Sequence, residues 1–153
     1  LFFAYCFWMV WIPFCAYRIS QATETEAMQN RLKWVWLVAS LLGIGFYIPV
    51  LFQPDLVQPA ITAGNISYNV NTVWHNFINT EPVGQLVYWG FIVLPLVALR
   101  DKAVRLFGVM ILISIFLTWF THSLAFNSVW CFYSAVLSIM ILWIINRPRL
   151  KNV

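Results

Sequence analysis

An all-α integral membrane protein, with five transmembrane helices and one large outer loop, is the fold class this sequence predicts. Only 9% of the residues are charged and 62% are hydrophobic, where a soluble domain would carry roughly 25% charged residues. Long apolar runs are also joined by connections that are alternately basic and free of Lys and Arg, the pattern that bilayer insertion imposes. So apolar a chain lacks the polar surface that water demands, and lipid becomes its solvent. The net charge of +4 could suggest nucleic acid. No basic patch with interleaved aromatics sits on a soluble module, however, so that partner is set aside. The expected partners are the lipid bilayer and other membrane protein subunits.

The spans are expected at residues 1–17, 34–52, 83–99, 103–121 and 128–145, in a single transmembrane domain over residues 1–153. Each meets or approaches the ~17–25 residues that a helical crossing needs. Helices are required because lipid offers the backbone no hydrogen-bond partners, and the strict alternation of a barrel strand is missing. The first run opens at Leu1 with neither Met nor the basic n-region of a signal peptide, so a longer protein is expected. Cys6 and Cys15 lie nine positions apart in it, about 180° round a helix. With Cys131 they form an odd set of apolar-run thiols, expected to pack as small apolar residues rather than pair. Pro13 should kink the first span near its inner end. Pro49 and Pro95 sit near span ends, where a lost hydrogen bond costs least.

The cations set the orientation. Arg18, Arg31 and Lys33 lie between spans one and two, Arg100, Lys102 and Arg105 at the hairpin of spans three and four, and Arg147, Arg149 and Lys151 after span five. These are all nine Lys and Arg of the chain. Residues 53–82 and 122–127 contain none. The positive-inside rule therefore puts the tail, residues 146–153, in the cytoplasm. Trp34, Trp36, Trp74, Trp89, Trp119, Trp130 and Trp143 are expected at the interfaces, where an apolar ring and one N–H donor both find partners.

The outer loop, residues 53–82, opens with Pro54 and Pro59, which exclude a long helix there. Ile66, Tyr68 and Val70 alternate with polar residues beside a Gly64–Asn65 turn signal, a strand-like pattern. Thr72 could cap a short helix laying Val73, Trp74, Phe77 and Ile78 on the membrane surface. Asn65-Ile66-Ser67 matches a glycosylation sequon. The polar connection containing Glu24 and Glu26 is expected to extend one or both of its flanking helices into the cytoplasm.

The chemistry-bearing residues gather between Thr121 and Ser138. Asn127 or Ser128 suits the cap of the last helix, and His122 and Ser123 can serve the end of the one before. Ser128, Cys131, Ala135 and Ser138 recur at helical spacing on one face, and Ser134 forms a small-xxx-small pair with Ser138. Ala39 and Gly43 repeat that device in span two. Small residues let helices approach closely, and hydroxyls can bond across the seam. His122, Cys131 and His75 could instead supply the three protein ligands of a catalytic zinc. Their spacing matches no metal motif, so neither a metal site nor a cofactor is predicted. His122 beside Ser123 is no triad, which geometry alone defines. No Asp, Glu, Lys or Arg lies deep in a span, which disfavours an ion or proton pathway. Gly43 and Gly45 lack a matching break in span five, which disfavours a transporter.

The stretch "FNSVWCFYSAVLS", the Ile-x-Tyr element at Ile66 and Tyr68, and "VRLFG" opening span four resemble an uncharacterised bacterial family of multi-pass membrane proteins. Ser128-Val129-Trp130-Cys131-Phe132 is its most specific part. Members begin with Met-Cys-Phe-Ser and carry two further helices, one with a Glu-Gly pair, ahead of the matching part. They often show a His just before the Ile-x-Tyr element, where Gly64 or Asn65 stands here. The resemblance implies about seven helices in the whole protein and transfers no activity. The expected role is that of a structural or accessory subunit of a larger membrane complex, for example a respiratory or photosynthetic one. The alternatives are an intramembrane metal-dependent lipid hydrolase using His122, Cys131 and His75, and a small-molecule transporter or sensor.

Overall fold

A computed structural model describes residues 2–62, 65–70, 82–121 and 139. Helices dominate these residues. A π-helical turn at Phe2–Phe7 leads into α1, Trp8–Thr23, and α2 follows at Glu26–Phe52. A short 3-10 turn, Pro54–Leu56, precedes an antiparallel hairpin of β1, Val57–Thr62, and β2, Asn65–Val70. Helices α3, Pro82–Val97, and α4, Lys102–Thr121, come next.

Two of these helices, Glu26–Phe52 and Lys102–Phe120, are long and apolar enough to cross a membrane. That is fewer than the five crossings expected from sequence. Helix α3 is apolar but has 16 residues, about 24 Å at 1.5 Å per residue, short of the ~30 Å hydrocarbon core. The apolar start of α1 is divided between a π-turn and an α-helix that runs on to Thr23. The expected fifth span, residues 128–145, lies outside the described residues apart from Ile139, which is helical and exposed.

Each helix end has a local cause. Thr25, in extended backbone, presents its carbonyl to the N–H groups of Met28 and Gln29 at 3.0 Å and so starts α2. Glu26 in the first turn faces the positive end of the helix dipole. The mixed segment 26–33, which holds Glu26, Gln29, Asn30, Arg31 and Lys33, thus carries α2 well ahead of the apolar run. Pro82 opens α3, a first-turn position where a missing N–H costs nothing. Asp101 caps α4: its Oδ1 accepts from the N–H groups of Ala103 at 2.8 Å and Val104 at 3.2 Å. Pro13 lies buried inside α1, which remains helical on both sides of it.

The hairpin departs from the all-α expectation. Its register runs from Val57 paired with Val70 to Thr62 paired with Asn65. Residues 66–70 show the alternation of a strand, but β1 contains Pro59, opposite Tyr68. A proline is tolerated there because a two-stranded sheet has only edge strands.

Helix α1 packs on α2 and α3, α3 also packs on α4, and α2 meets α3 more sparsely. The core between them is built from Met9, Ile12 and Ala16 of α1, Ile92 and Leu96 of α3, and Val104, Ile111 and Ile115 of α4, with Ala39 of α2. Gly108 sets the α3–α4 distance. A Cβ there would lie 2.9 Å from Leu96 Cβ and 3.0 Å from Val97 Cγ2.

Candidate functional site

Two turns meet at one end of the bundle. The first joins α1 to α2 around Glu24, and the second joins α3 to α4 around Arg100. Glu24 Oε1 accepts the backbone N–H of Arg100 at 2.6 Å, and Oε2 lies 3.6 Å from Arg100 Nε. The Glu24 side chain is 3% exposed and that of Arg100 is 75% exposed. The Glu24 carboxylate is thus buried while its partner residue is exposed, so both the backbone bond and the ion pair sit at a solvated edge. Glu24 is itself held from behind, since its N–H donates to the Ser20 carbonyl and its own carbonyl accepts from Gln29 Nε2 at 2.8 Å.

The joint gathers most of the described charge. Arg18, Arg31, Lys33, Arg100, Lys102 and Arg105 are all exposed within or beside these two turns, with Glu24, Glu26 and Asp101. Among the described residues only Asp55 carries charge elsewhere. Arg105 is held in place: its Nε and Nη2 donate to the Leu99 carbonyl at 3.3 and 3.1 Å.

Away from this end, the buried hydroxyls turn inward on their own helices. Ser20 donates to the Tyr17 carbonyl at 2.6 Å, Ser114 to Ile111 at 2.7 Å and Thr118 to Ser114 at 2.8 Å. Such back-bonding satisfies polar groups in an apolar medium without calling on water. Trp36 stacks on Tyr17, centroids 5.9 Å apart and planes 6° from parallel, and also meets Phe14 at 5.3 Å. Its buried Nε1 and the nearby Ser40 Oγ, one turn on, have no hydrogen-bond partner among the described residues.

The other residues singled out in the sequence fall as follows. Ala39 and Gly43 are both buried on α2. Trp34 and Trp119 are exposed, and Trp89 is half-buried with its ring 6.3 Å from that of Phe116. Cys6 and Cys15 are free thiols, both half-buried. His75, His122, Ser128, Cys131, Ala135, Ser138, Trp74, Trp130, Trp143, Arg147, Arg149 and Lys151 lie outside the described residues, as does the helix expected after Thr72. Among the described residues no group of three or more His, Cys, Asp or Glu could hold a metal ion.

Sequence reasoning missed the Glu24–Arg100 joint and the Arg105 fork. The available signal was composition: Glu24 is one of only five acids in the chain, and it stands among cations. No family model, curated protein or solved structure matches the chain.

Proposed function

We propose that this chain is a multi-pass integral membrane protein of the bacterial inner membrane, with a cytoplasmic C-terminus. Its role on this reading is structural: an accessory subunit seated against a larger membrane complex, such as a respiratory or photosynthetic one. The resemblance to the uncharacterised bacterial family belongs to the same proposal and brings no reaction with it.

The observation that carries the reading is the outer face of α2. Val38, Leu41, Ile44, Ile48 and Leu51 are all exposed at helical spacing, and Leu41 is 73% exposed. Exposed apolar area of this kind, unrelieved by charge from Trp34 to Phe52, costs roughly 25 cal/mol per Å² in water and nothing in lipid or against another apolar helix. The gathering of all described charge except Asp55 at one end of the bundle points the same way, as does the alternation of basic and cation-free connections.

Extraction from native membranes in a mild detergent tests the structural role. The expected result is co-migration with a larger assembly on a native gel. A chain that always runs alone, at its own mass plus detergent, overturns the accessory-subunit reading and leaves an isolated membrane protein.

A further inference from the structure

Resting on the membrane reading above, we infer that Lys102 and Arg105 form a binding site for the phosphate headgroup of an anionic phospholipid, whose acyl chains lie along the outer face of α4. The charge at this end is not internally balanced. Six described cations face three acids, and two of those acids are already engaged. Glu24 holds Arg100, and Asp101 caps α4. Lys102 and Arg105 are both exposed and stand three positions apart, on one face of the helix.

Arg105 is preset for a phosphate. Two of its donors are anchored on the Leu99 carbonyl, which fixes the plane of the guanidinium and leaves its remaining N–H groups for an incoming oxyanion. The entropy of ordering a long side chain has thus been met before any ligand arrives. The same face then changes character. Leu106, Val109, Ile113 and Phe116 follow Arg105 at helical spacing, all exposed and all apolar. A cationic pair directly above an apolar stripe matches a phospholipid, with a charged head and long apolar tails. A free phosphate would use only the top of it.

The test uses the full chain, purified in detergent and offered equal amounts of phosphatidylglycerol and phosphatidylcholine, with retained lipid read by native mass spectrometry. Phosphatidylglycerol should be retained at least several-fold over phosphatidylcholine. Each of R105Q and K102Q should weaken that retention about fivefold, while R31Q and K33Q on α2 should not. Lys102 makes no described side-chain bond, so K102Q reads the site even if R105Q misfolds. Equal retention of both lipids, or indifference to both α4 substitutions, overturns the proposal. So does displacement of the lipid by millimolar inorganic phosphate, which would mark a site for a free anion. An alkaline carbonate wash separates the two levels of failure. A chain stripped from membranes by carbonate ends the membrane reading itself, whereas a carbonate-resistant chain without lipid preference ends only this site.

Discussion

Glu24 shows how a single side chain in an apolar bundle is held by unequal bonds. Its contact with the Arg100 guanidinium is solvated on one side, and such pairs are worth roughly 0–1 kcal/mol. Its bond to the Arg100 N–H is the more direct of the two at 2.6 Å, and a hydrogen bond of this kind contributes about 0.5–1.5 kcal/mol net. We therefore expect E24A to lose stability of that order in thermal unfolding of the full chain in detergent. E24Q, whose amide oxygen can still accept the N–H, should lose much less. Equal losses in the two variants would assign the joint to charge instead. Both residues were visible in the sequence as loop charges. Their meeting was not, because a contact between positions 76 residues apart leaves no mark on local pattern. The candidates His75, His122 and Cys131 fall outside the described residues, so the sequence remains the ground for them.

At the scale of the element, the apolar part of α2 was legible, and the polar connection around Glu24 and Glu26 was expected to lengthen its flanking helices, as α1 to Thr23 and α2 from Glu26 do; the residue at which α2 starts was not legible. Hydropathy locates residues 34–52 because it responds to apolarity. Helix α2 begins instead at Glu26, where Thr25 and the dipole-facing acid start it ahead of the apolar run. Strand β1 was hidden for a related reason. With Pro59 in it, its own residues argue weakly for a strand, and pairing with β2 supplies what propensity does not. Glycines divide in the same way. Gly108 lies against Leu96 and Val97, whereas a Cβ on Gly45 would meet nothing within 4 Å. G108A should force α3 and α4 apart at a cost of about 1–3 kcal/mol. G45A should be neutral or stabilising by up to about 1 kcal/mol through its better helix propensity. Parallel thermal unfolding of the two variants checks both, and a harmless G108A would mean that the pair can slide without loss.

For the whole molecule, the separation of charge from apolar surface sets the frame. The turns around Glu24 and Arg100 are joined at one end, which is the arrangement the proposed membrane path calls for. The tail at residues 146–153 should share that side. In a background lacking Cys6, Cys15 and Cys131, the variants R18C, R100C and R147C should all react with an impermeant thiol reagent from the cytoplasmic face alone. R147C reacting from the opposite face would remove the fifth crossing. The joint also carries a temporal consequence. The ribosome delivers Glu24 long before Arg100, so the first helical hairpin settles with an acid still waiting for its mate. The second hairpin supplies the missing donor on arrival, and that late handshake ties two separately made helix pairs into one body.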